Sequence, residues 1–121
     1  ACGANIHRLT HAEHDAVFAA VSHLPHLLSF ALVHDLAQRD NRDLLLSFAA
    51  SGFRDFTRIA ASSPEMWRDI CLANREALLQ ELQLYIAELT QMSAALAAGD
   101  AARLEQTFRT ARELRAGWTE Q

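Results

Sequence analysis

The chain has 121 residues, 50% of them apolar and 21% charged, with a formal net charge of −4. That suffices to bury one core without disulfide or metal staples. The acidic balance, with no Lys/Arg-rich run, argues against nucleic acid or an anionic membrane as partner. Cys2 and Cys71 lie far apart and form no Cys-x-x-Cys pair, which suits a reducing, cytoplasmic compartment.

Residues 1–9 show one weak alternation and no partner strand, so they stand outside the plan that follows. Thr10-His-Ala-Glu13 is a capping-box signature, a hydroxyl at the N-cap with a glutamate three residues on. The helix it opens carries Val17, Phe18, Val21 and Leu24 at helical spacing. Pro25 cannot donate to the carbonyl of Val21, and its ring clashes there, so a kink or restart is expected near residues 23–25. The longest uncharged apolar stretch, Val17–Val33, is interrupted by Ser22, His23, Pro25 and His26, which argues against a membrane span. No signal-peptide pattern opens the chain.

Residues 27–33 are nearly apolar all round and predict a helix buried on most sides. The polar cluster at residues 38–43 reads as a connecting turn, and residues 44–50 as a short helix running into Gly52. Ser62 or Ser63 can cap the next helix, with Pro64 in its first turn and Glu65 near its positive end. Leu78, Leu82, Tyr85, Leu89, Met92 and Leu96 then form a heptad-like seam. Gly99 suits a C′ position, and Asp100 caps a last helix bearing Leu104, Phe108, Ala111 and Leu114. The fold class is therefore all-α, about five helices with one long central helix. A single helix from Glu65 to Ala98 would run about 50 Å, against a diameter of roughly 35 Å for a compact chain of this size. Its seam would be exposed, and a two-fold partner would cover it.

Two stretches do not fit a generic helical core. Ser51-Gly-Phe-Arg-Asp-Phe-Thr-Arg-Ile-Ala-Ala-Ser-Ser-Pro-Glu-Met-Trp67 gathers a glycine, two arginines, an aspartate and three aromatics without helical periodicity. It reads as a loop presenting an arginine from a rigid scaffold. The planar fork of Arg58 matches a carboxylate bidentately; the bland alternative pairs it with Asp55, three residues away. Gly52 would let the backbone approach a ligand closely, and Trp67 is either a cleft wall or an ordinary core aromatic. Upstream lies Ser22-His-Leu-Pro-His26. His23 and His26 are a weak signal for metal, lacking a carboxylate or thiolate partner; capping or core roles compete. His7, His11 and His14 fit a solvated helix face.

These two strings, with the lead-in His14-Asp15, make residues from about Thr10 to Ala98 resemble the C-terminal helical domain of prephenate dehydrogenases. These are enzymes of tyrosine biosynthesis that use NAD or NADP to convert prephenate to 4-hydroxyphenylpyruvate with loss of carbon dioxide. The resemblance implies an interlocked homodimer, like the C-terminal domains of 6-phosphogluconate-dehydrogenase-like enzymes. It implies Arg58 on a substrate carboxylate, and Ser22, His23 and His26 on the substrate side of a cleft, His26 foremost. Relatives are richer in glycine where this chain has Ala49-Ala-Ser51 before Gly52, which weakens a backbone contact at residue 51. Residues 1–9 would be the exit of a nucleotide-binding domain, and 10–121 the dimerisation and substrate-binding domain. No Gly-x-Gly-x-x-Gly follows a strand in this sequence. The cofactor would therefore belong to the other domain, where the resemblance also puts the catalytic histidine, leaving no catalytic, cofactor or metal residue in this one. Tyrosine would be a candidate inhibitor. The rival from another class is a non-catalytic dimeric adaptor or a phosphotransfer bundle; the latter wants a helical histidine near a lysine, and the chain has no lysine.

Overall fold

Thr10 begins the first helix as its residue type dictates. Its hydroxyl accepts from the Glu13 N–H at 3.1 Å, and the Glu13 carboxylate accepts from the Thr10 N–H at 2.9 Å, closing the capping box. Hydrogen bonding of the Glu13 carboxyl to the Thr10 backbone N–H, and then to the Thr10 side chain, holds it below its usual range. The computed structural model describes residues 8–118. The reading of residues 1–9 lies outside them, save for Arg8 and Leu9, which are irregular; Cys2 and His7 lie outside as well.

Among the described residues every regular element is helical: α1 His11–Phe18, a π turn Ala19–His23, α2 Leu24–Ala37, α3 Arg42–Ser47, α4 Ser51–Thr57, a 3₁₀ turn Arg58–Ala61, α5 Pro64–Ala73, α6 Arg75–Ala98 and α7 Ala101–Gly117. The expected all-α class stands. Residues 9–82 form one compact unit, and residues 83–118 belong to a second.

In the first unit the chain does not break at Pro25. It inserts a π turn just before it, in which the Leu24 N–H reaches back five residues to the Ala19 carbonyl. One extra residue in the turn carries the helix past a proline that has no N–H to give. The result is a run from His11 to Ala37 of 27 residues, whose most apolar window has a mean hydropathy of 1.7. By length and composition alone that run could cross a bilayer. Within the unit α2 packs against the π turn, α3, α4 and the 3₁₀ turn. Ser29 is fully buried, and its hydroxyl donates to the Phe56 carbonyl at 3.0 Å, docking α2 onto α4 and the 3₁₀ turn. Ala19, Leu24 and Leu78 are the buried apolar side chains here. Residues 27–33 are less covered than expected: Leu27, Leu28, Phe30 and Val33 are half-buried, and Leu32 is exposed.

Two further expectations need correction. The segment from Ser51 is no loop: α4 forms there, the Thr57 hydroxyl donates back to Phe53 O at 2.7 Å, and the chain tightens into the 3₁₀ turn before Ser62. The aromatic and charged mixture hid a helix because its apolar positions, Phe53 and Phe56 with Ile59, still fall three apart. Nor is residue 65 to 98 one helix. Ser63, rather than Ser62, caps α5 by accepting from the Met66 N–H. Asn74, at φ −119 and ψ 37, then ends it. Helix α6 has 24 residues and runs about 36 Å, close to the expected diameter, so the argument that its length overhangs the molecule no longer holds. With α1, the π turn and α2 taken as one, α4 and this break bring the count among the described residues to six helical segments, against about five expected.

In the second unit, Gly99 at φ 64 terminates α6. The Asp100 N–H bonds Ala95 O and the Gly99 N–H bonds Leu96 O, the two bonds of a Schellman stop. Asp100 then accepts from the Arg103 N–H and caps α7.

Candidate functional site

The π turn and the first turn of α2 put Ser22, His23 and His26 beside Trp67 of α5. The His26 ring stacks on the indole, centroids 3.7 Å apart and planes 14° apart. The His23 ring meets the same indole edge-on at 6.1 Å and 76°. One face of Trp67 is thus taken by protein, and the indole is half-buried. Ser22 joins through its carbonyl, 3.1 Å from His26 Nδ1. A carbonyl can only accept, so that nitrogen carries the proton, and neutral His26 keeps an acceptor at Nε2.

His23 is held from another side. The Asn74 amide nitrogen donates to the Asp15 carbonyl at 2.8 Å and lies 3.2 Å from His23 Nδ1. Partial burial pushes His23 below its ordinary value; His26 and His14 add to this and Asp15 opposes it. Beside Trp67 an apolar groove of about 390 Å³ is walled by Leu27, Phe30, Pro64, Cys71 and Leu72. Burial pushes the Cys71 thiol up, away from the reactive thiolate. Among the described residues no three His, Cys, Asp or Glu side chains gather as metal ligands.

Arg58 opens the 3₁₀ turn that packs against α2. It is exposed and, among the described residues, pairs with no carboxylate. The alternative pairing with Asp55 is therefore not made. Asp55 and Gly52 lie exposed on α4, and a Cβ added at Gly52 would meet nothing within 4 Å. No hydrogen bond, ion pair or ring contact among the described residues joins Arg58, Asp55 or Gly52 to the His26–Trp67 cluster. The residue that sequence reasoning missed is Asn74. A poor helix former inside a stretch read as continuous helix was its only signal.

Comparison with known proteins decides the family. The family model for the prephenate dehydrogenase dimerization domain matches residues 10–110. The chain belongs to this family. It is 41% identical over 118 residues to a prephenate dehydrogenase of Bacillus subtilis, covering 95% of this chain and 32% of that protein. With a cyclohexadienyl dehydrogenase of Zymomonas mobilis the identity is 36%, covering 93% and 39%. The structure superposes on Synechocystis arogenate dehydrogenase with a TM-score of 0.88 at 30% identity, covering 97% of this chain and 43% of that one. On the Aquifex aeolicus prephenate dehydrogenase in complex with hydroxyphenyl propionate and NAD+ the TM-score is 0.84 at 33% identity, covering 93% and 40%. The chain thus spans a third to two fifths of the length of these prephenate dehydrogenase relatives.

Proposed function

We propose that this chain is the substrate-binding and dimerisation part of a prephenate or arogenate dehydrogenase. That enzyme oxidises and decarboxylates prephenate to 4-hydroxyphenylpyruvate with NAD or NADP, the cofactor being held outside this chain. The observation that carries the reading is an exposed arginine without a protein counter-ion, on a turn packed against the helix that presents His26, in a chain of this family. An unpaired guanidinium offers its full fork to a substrate carboxylate. In this reading Ser22, His23, His26 and Trp67 would supply the other side of the substrate cleft; Gly52 leaves its helix face open, and Asp55 is a neighbour able to orient Arg58 when substrate arrives. The reading carries a cytoplasmic location, and tyrosine, which resembles the product, is a candidate inhibitor.

Dimerisation has its own support. In the second unit Leu84, Ile86, Leu89, Leu96, Phe108 and Leu114 are all exposed, Leu114 at 77% and Leu96 at 66%. Isolated exposed leucines are ordinary, but a run along two successive helices marks an interaction surface. A second copy interlocked along α6 and α7 would bury more than about 2,000 Å², the obligate class. The test is an NAD- or NADP-linked assay of prephenate oxidation by the intact protein, with its mass measured by sedimentation. Turnover by a dimer is expected. A folded monomer at micromolar concentration, or no oxidation of prephenate or arogenate with either cofactor, would overturn the reading.

A further inference from the structure

Asn74 interrupts what would otherwise be one helix, and its side chain shows what the interruption accomplishes. Its amide group has two N–H bonds, and both face acceptors: the Asp15 carbonyl at 2.8 Å and His23 Nδ1 at 3.2 Å. The carbonyl of Asp15 cannot donate, which fixes the amide's orientation. His23 Nδ1 must then be the unprotonated nitrogen, and the ring's one proton sits on Nε2. That Nε2 has no hydrogen-bond partner among the described residues and is not sealed from solvent. Across the indole, neutral His26 has the opposite arrangement, with Nδ1–H given to Ser22 O and Nε2 left as an acceptor. Two neighbouring imidazoles therefore offer opposite hydrogen-bonding polarity to whatever lies beside them.

We propose that Asn74 is a positioning residue that locks His23 as an Nε2–H donor, so that His23 and His26 form a donor–acceptor pair around Trp67. This rests on the reading of that cluster as the substrate side. The pair fits a ligand bearing a hydroxyl that donates to His26 and a carboxylate or carbonyl oxygen that accepts from His23, as a hydroxy acid does. Asp15 acts here through its backbone carbonyl, which anchors the amide. The titratable groups that act on His23 are His26 on α2 and Asp15 and His14 on α1; α5 contributes the uncharged Trp67.

The test is ring-nitrogen NMR of the intact protein labelled with ¹⁵N-histidine, with His23 assigned by its loss in His23→Gln. The parent should show the Nε2–H tautomer at neutral pH. Asn74→Ala should lose that bias. Asn74→Asp, which sets a carboxylate by Nδ1, should keep the ring doubly protonated to higher pH than the parent. Losing one neutral hydrogen bond should raise the KM for prephenate in Asn74→Ala roughly threefold to tenfold, with little change in kcat. A parent ring protonated at Nδ1, or an Asn74→Ala spectrum matching the parent, overturns the proposal. The parent tautomer and Asn74→Asp decide it if the alanine variant does not fold. Absence of prephenate turnover would sink the functional reading while the tautomer still judges Asn74.

Discussion

Replacing Ser29 with alanine removes the one side-chain bond that, among the described residues, fastens α2 to the segment carrying Arg58. The hydroxyl is fully buried and donates at 3.0 Å to Phe56 O. The loss therefore combines a net hydrogen bond with a carbonyl left facing a methyl group. Such cases cost about 1–3 kcal/mol. The volume change is one oxygen atom, so cavity terms add little. With a urea slope of about 1–3 kcal/mol per M for a domain of this size, the midpoint should fall by about 1 M. Parent and variant must be compared at equal protein concentration, because the stability of the dimer proposed above would depend on it. The 3₁₀ turn begins two residues after Phe56, so the KM for prephenate should also rise, though less than on removing Arg58 itself. A loss under about 0.5 kcal/mol, the range of ordinary surface substitutions, would refute the view that this bond docks α4 on α2.

In the intact enzyme, Arg58→Ala should raise the KM for prephenate at least about tenfold, since a charge-assisted pair contributes about 1.5–3 kcal/mol; dimer and fold should persist. Arg58→Lys should recover part of this, keeping the charge but not the fork, and an alanine variant that unfolds with KM unchanged in the folded fraction would make Arg58 structural. His23 is depressed in the folded state, mainly by burial and then by His26. Its contribution to stability is therefore present above its ordinary value of 6.5 and lost as pH falls through the lower folded value. Urea midpoints of parent and His23→Gln should converge on acidification through that window, and a constant gap would contradict the assignment. Gly99→Ala forces a Cβ into left-handed backbone at φ 64 and should cost about 1–2 kcal/mol, read as a lower thermal midpoint; an unchanged midpoint would mean the stop can form another way.

The helical class, the Thr10–Glu13 capping box, a turn within residues 38–43 (narrowed by the structure to 38–41, since α3 starts at Arg42) and the stop at Gly99 were legible in the sequence because each is fixed by residues within five positions of one another. Local hydrogen bonds and φ preferences need no distant partner. The π turn was half legible: Pro25 announces a disturbance, but whether the chain kinks, restarts or widens depends on what its neighbours pack against. The helix at α4 and the break at Asn74 were not legible. Helix α4 is short and uncapped by any side chain, so it depends on α2, to which Ser29 ties it. Asn74 leaves the helix to reach Asp15, 59 residues earlier, and His23, 51 residues earlier. Single residues such as Arg58 and His26 could be named from their types and from family resemblance. The stacking of His26 on Trp67, the missing Arg58–Asp55 pair and the meeting of Asn74 with His23 Nδ1 were decided only by tertiary structure, because the chain's local rules do not set them.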